Sequence, residues 1–106
     1  MSRYQFTPQA IEDLFEIWRY IARDSVQAAN RMEAAVYSAC AFLADGPLRG
    51  RIRQEITQLP LRFWTIQAFP NYIIVYDPQS DPLQIIRVLH GSRDLLTILG
   101  EINPSV

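Results

Sequence analysis

The chain contains no lysine, one histidine and one cysteine, and all ten of its basic residues are arginine. The missing lysine excludes Schiff-base and other lysine-nucleophile chemistry. With His90 and Cys40 as the single members of their types, a metal site needing two imidazoles or two thiolates is excluded, and no metal or other cofactor is expected. One cysteine forms no internal disulfide, which fits a reducing compartment. The four glycines are turn or cap candidates, and none builds a phosphate-cradling glycine loop. Long apolar runs are missing as well. Runs such as Tyr72 to Tyr76 fall far short of the roughly 20 residues that cross a bilayer. Met1 to Phe6 has no apolar signal-peptide core. The expectation is a soluble, cytoplasmic protein without a membrane partner. A net charge of −1 excludes a wholly basic, polyanion-coating chain.

What is present suits one small domain spanning 1–106, with 49% hydrophobic residues to build its core. Thr7-Pro8 opens a helix, with threonine as the N-cap and proline in the first turn. Ile11, Leu14, Phe15, Trp18, Ile21 and Ala22 then recur at helical spacing and predict one apolar stripe facing the core. Glu12, Asp13, Glu16, Arg19 and Arg23 fall on the opposite, solvent-facing side. Asp24-Ser25 interrupts the pattern and caps a second helix, whose stripe is Ala29, Met32, Val36, Ala39, Cys40 and Leu43. Asp45-Gly46-Pro47 ends it. So short a link between two long helices implies an antiparallel helical hairpin.

The period then changes. Leu48 to Pro60 is irregular and arginine-rich. Leu61–Phe69, Tyr72–Asp77 and Leu83–His90 read as strands separated by turns at Pro70-Asn71 and Pro78 to Pro82. Short turns favour an antiparallel meander. The uniformly apolar Tyr72–Tyr76 run marks the central strand, covered on both faces. Arg3 to Phe6 supplies an additional edge strand. The fold class is α+β: an N-terminal strand and an antiparallel helical hairpin packed on a mainly antiparallel sheet of three to four strands.

Two features bear on chemistry. Arg49, Arg51, Arg53 and Arg62 stand against a single acid, Glu55, with Arg87 and Arg93 near the last strand and Phe63, Trp64 and Tyr72 close by. Such a surface binds phosphates and stacks bases, or binds an acidic protein segment, or is a solvated loop. His90 alone titrates near neutrality, so it is the natural general acid or base; the competing reading is a strand-end histidine that satisfies a backbone group. On a regular strand Arg87 and His90 point to opposite faces and do not converge on one phosphate. Glu12 and Glu16, four apart on an exposed helix face, read as solvated carboxylates. Cys40 and Trp18 read as core residues, while the sequence leaves the face occupied by Trp64 open.

Three segments together resemble the RelE/ParE superfamily of bacterial type II toxins, ParE-like branch. They are Tyr4-x-Phe6-Thr7-x-x-Ala10-x-x-Asp13-Leu14-x-x-Ile17-Trp18, then Asp45-Gly46-Pro47-Leu48-Arg49-Gly50, and, most specific, Ile85-Ile86-Arg87-Val88-Leu89-His90-Gly91-Ser92-Arg93-Asp94-Leu95. The resemblance implies a toxin whose partner is a cognate, ParD-like antitoxin and whose target is DNA gyrase. The alternative it implies is a RelE-like endoribonuclease acting on ribosome-bound mRNA. In that case Arg62 and Arg87 would stabilise the phosphate and His90 would move the proton. The chain departs from the ribonuclease pattern: it has no lysine, and no tyrosine follows Arg87. That departure favours the gyrase-directed branch. Arg49, Arg51, Arg53, Arg62, Trp64, Arg87 and Arg93 are the partner-binding candidates, and the helical hairpin or a free edge at Arg3–Phe6 or Leu61–Phe69 would receive an antitoxin segment.

Overall fold

The computed structural model describes residues 3–95; the remainder of the expected 1–106 domain lies outside the described residues. Strand β1 (Tyr4–Phe6) leads into helix α1 (Pro8–Ala22) and helix α2 (Val26–Asp45), followed by β2 (Arg62–Thr65), β3 (Tyr72–Asp77) and β4 (Leu83–His90). The sheet order is β1-β4-β3-β2. β2, β3 and β4 form the expected antiparallel meander, and β1 joins the other side of β4 in parallel.

Local chemistry accounts for the boundaries. The Thr7 hydroxyl accepts the Ala10 N–H at 3.1 Å to cap α1, and the Ser25 hydroxyl accepts the Ala28 N–H at 3.1 Å to cap α2. β2 is shorter than the expected Leu61–Phe69 strand. Past Thr65 the chain folds into a turn in which Phe69 N–H donates to Ile66 O and Tyr72 N–H donates to Phe69 O. Pro70, lacking an N–H, suits that turn and not a ladder.

The hairpin covers one face of the sheet. Leu14 and Ile17 of α1, with Met32, Val36, Cys40 and Leu43 of α2, are buried against Ile74, Tyr76, Ile85 and Val88. The α1 stripe differs from expectation. Ile11 and Phe15 are exposed, and Ala10, Leu14 and Ile17 make the core contact instead. Apolar residues occupy two adjacent lanes of α1, each spaced i, i+4, i+7. Only the lane of Ala10, Leu14 and Ile17 meets the sheet. The opposite sheet face carries its own cluster: Leu61, Phe63, Ile73, Val75, Leu89 and Leu95, with Ile56, Leu59 and Ile86 packed against it. β3 is therefore buried on both faces, as its composition predicts.

Candidate functional site

β1 pairs with β4 only as far as Phe6↔Ile85, which leaves the next stretch of β4 without a strand on that side. Side chains of α1 and its cap take over. Thr7 N–H donates to Ile85 O at 3.1 Å, the Thr7 hydroxyl donates to Ile86 O at 2.8 Å, and Asp13 Oδ2 accepts the Val88 N–H at 3.1 Å. The same carboxylate receives Arg87 in a two-pronged pair, Nε to Oδ2 at 2.6 Å and a terminal nitrogen to Oδ1 at 2.7 Å. The two side chains are 11% and 14% exposed, so this is an internal ion pair. One expectation is corrected here: Asp13 is not on the solvent face of α1. Arg87, a phosphate and partner candidate of the sequence, faces Asp13 across the seam.

The strand is also not regular. The register passes from Val75↔Arg87 to Tyr76↔Ile85, so Ile86 is an extra residue, a β-bulge. This irregularity does not bring Arg87 and His90 onto a common acceptor. The His90 ring meets Tyr72 edge-on at 5.5 Å, and its Nδ1 accepts the Arg93 N–H at 3.2 Å. That bond puts the neutral ring's proton on Nε2. Arg93 pairs with Asp94 and lies 5.9 Å from the Tyr20 ring.

The second arginine group belongs to the arc between α2 and β2. Its brace is built from the core outward. Tyr76, fully buried on β3, donates its hydroxyl hydrogen to Pro47 O at 2.7 Å and accepts the Gly50 N–H at 2.8 Å. Burial raises the Tyr76 phenol above its ordinary pKa. Gly50 is required by this contact, since a Cβ there would run into the Tyr76 hydroxyl and ring. Arg62 donates to Gly50 O at 2.8 Å and Leu48 O at 3.3 Å. Arg49 donates to Phe42 O at 2.7 Å while its guanidinium lies 4.0 Å from the centre of the Phe42 ring. Arg51 closes the arc by exchanging two backbone hydrogen bonds with Phe63, at 2.8 and 2.9 Å. This contact covers part of the free β2 edge. Arg53 pairs with Glu55 at 3.0 Å. A backbone hydrogen bond at Glu55, then the Arg53 side chain, hold that carboxyl below its ordinary range.

Among the six candidate arginines, then, Arg87 closes the seam between α1 and β4, Arg93 pairs with Asp94, Arg49 and Arg62 brace the arc, and Arg51 and Arg53 line a 160 Å³ hollow with Phe63, Trp64 and Ile73. Trp64 settles the face left open by its sequence: it packs on the hairpin side, 5.4 Å from Phe42. Sequence reasoning missed Leu48 and Ile52, which stand 71% and 59% exposed on the arc. Their signal was available as two aliphatic residues inside an arginine-rich segment, without a stripe to join. Two further hollows flank the hairpin. One of about 300 Å³ lies between the helices, beside Ile11, Phe15, Trp18 and Tyr37. The other, about 320 Å³ and almost wholly apolar, lies between α2 and Trp64. No helix among the described residues is long and apolar enough to cross a membrane, and none of their carboxylate, imidazole and thiol groups cluster as a metal site.

The two helices and four strands of the described residues make an architecture similar to a chain of a solved structure titled "Chromosomal ParDE TA system from P. aeruginosa", with a TM-score of 0.65 over 82% of this chain and 92% of that one, at 18% identity. At the sequence level the chain is 30% identical over 93 residues to "Toxin RelE2" of Caulobacter vibrioides, covering 88% of this chain and 99% of the relative. The family described as "ParE toxin of type II toxin-antitoxin system, parDE" matches residues 4–95, from the first residue of β1 to the last described residue. The chain therefore belongs to the ParE toxin family of type II toxin–antitoxin systems.

Proposed function

We propose that this toxin arrests growth by binding DNA gyrase as a protein ligand, without RNA chemistry of its own, and that a cognate antitoxin neutralises it. The observation that supports this most is the pairing of Arg87 with Asp13. A ribonuclease of this fold would need that cation turned toward a phosphate, and extracting it would leave a carboxylate buried and uncompensated. Arg62, the second cation such a site would use, is bound to two backbone carbonyls. The sheet face away from the helices, where an open RNA cleft would lie, is filled by the Leu61–Phe63–Leu89 cluster.

The antitoxin has a different kind of surface available. The apolar hollows along the hairpin suit a segment that folds on binding, laying an amphipathic helix between Phe15 and Tyr37 or beside Phe42. The test is one preparation assayed on supercoiling by gyrase and on message integrity in translating ribosomes. The expected result is blocked supercoiling with intact message, preserved in His90→Ala. Message cleavage that Arg87→Ala abolishes in a folded protein would overturn the reading in favour of the ribonuclease.

A further inference from the structure

The braced arc invites a question that its brace does not answer. Tyr76, Arg62 and Arg49 commit five hydrogen bonds to holding 47–51 in one conformation. The side chains this construction turns outward include two aliphatic ones, Leu48 and Ile52, at 71% and 59% exposure. Exposed apolar residues on a mobile loop cost little and mean little. On a loop pinned to the core they are a preorganised contact, because the ordering entropy of binding has already been met in folding. The arc also carries charge of one sign, with Arg51 and Arg53 beside Leu48 and Ile52 and Glu55 as the local acid.

We infer that the Leu48–Arg53 arc is the toxin's target-engaging element: Leu48 and Ile52 insert into an apolar cleft of a larger folded protein, and Arg51 and Arg53 meet an acidic rim around it. The inference rests on the reading of the toxin as a protein-directed inhibitor and adds the surface and the chemistry of its target. Two observations choose this occupant. An exposed, internally braced loop matches a preformed cleft, whereas a segment that folds on binding needs a groove, and the 300 and 320 Å³ hollows lie away from the arc, along the hairpin. Nucleic acid fits less well. Arg49 and Arg62 already hold internal carbonyls, and exposed aliphatic side chains, Leu48 and Ile52, take up much of the arc's outer surface.

The experiment compares full-length wild type with Leu48→Asp, Ile52→Asp and Arg51→Glu, all at exposed positions. Each is checked for a wild-type melting curve and for capture by the co-expressed antitoxin. With purified gyrase as the probe, each variant should raise the half-maximal inhibitory concentration by about tenfold, the range of a lost interface anchor. Wild-type potency in the folded Leu48→Asp/Ile52→Asp double variant would overturn the inference. So would loss of antitoxin capture in that variant with potency intact, since the arc would then be the antitoxin's. If wild-type toxin leaves gyrase untouched, the gyrase reading falls by itself and growth decides the arc. Cells expressing the double variant then survive if the arc engages the target, and arrest like wild type if it does not.

Discussion

The α1–β4 seam and the Pro47–Arg62 arc are both built around arginines, yet they use them differently. At the seam one guanidinium faces one carboxylate, both largely out of solvent, and a backbone N–H shares the same acceptor. In the arc, Arg49 and Arg62 donate to backbone carbonyls, and Arg53 meets a carboxylate that is 63% exposed. Burial decides the difference. A buried charge must be matched by an opposite charge or it destabilises the fold, whereas an exposed one is already served by water. Residue type alone therefore does not sort binding cations from structural ones.

The most severe way to break this comparison is to unpair the seam. Asp13→Ala removes the carboxylate that Arg87 grips and the acceptor of the Val88 N–H. The expected loss is about 3–5 kcal/mol in denaturant unfolding, the range for breaking a buried ion pair by removing one partner. The double change Asp13→Leu with Arg87→Met should cost less than Asp13→Ala alone. A loss below about 1 kcal/mol for Asp13→Ala would mean that water reaches the guanidinium and the seam is no different from the arc.

A milder change tests the arc from below. Tyr76→Phe keeps the ring in the core but removes the hydroxyl that serves both Pro47 O and Gly50 N–H. The expected cost is about 1–3 kcal/mol, since two backbone groups lose one buried partner. Amide exchange should quicken at Gly50 and leave the Val88 amide, held by Asp13, unchanged. Faster exchange at both would show that arc and seam open together.

These contrasts also explain what the sequence could convey. The helix caps at Thr7 and Ser25, the spans of β3 and β4 and the α2 stripe depend on neighbours along the chain, and local chemistry makes them legible. Asp13 sits among Glu12, Glu16 and Arg19, which look alike in sequence. What singles it out is a gap in the sheet beyond Phe6, a property of the assembled fold. The two apolar lanes of α1 are equally periodic, and only the position of β4 decides that Ile17 turns inward and Phe15 outward. The brace of the arc depends on Tyr76, 26 residues away from the Gly50 it holds.

Alkaline titration reaches the core and the brace together. Burial pushes the Cys40 thiol up to about 12 from its ordinary 9.0, and burial raises Tyr72 and Tyr76 above 10.0. In each case the folded state holds its proton more tightly than the unfolded chain. The stability from Cys40 is thus complete below about pH 9 and lost as pH rises toward 12. The slope expected from one such group is at most about 1.4 kcal/mol per pH unit. Cys40→Ala should flatten the fall in unfolding free energy measured between pH 9 and 11. An unchanged slope would mean that the thiol ionises freely in the folded protein. A thiol reagent offers the parallel readout, labelling Cys40 only as the protein unfolds.

The smallest effect is expected where the arc's own ion pair is removed. Arg53 and Glu55 are 3.0 Å apart, but their side chains are 30% and 63% exposed. Solvent screening and the entropy of holding two long side chains leave such a pair worth at most about 1 kcal/mol. A double-mutant cycle of Arg53→Ala and Glu55→Ala should return a coupling energy in that range and shrink further at high salt. Set beside a matching cycle of Asp13→Ala and Arg87→Ala, it measures one chemical pairing at two depths in a single molecule. If the two cycles gave equal couplings, burial would not be what separates the seam from the arc, and Arg87 would again be a candidate for binding.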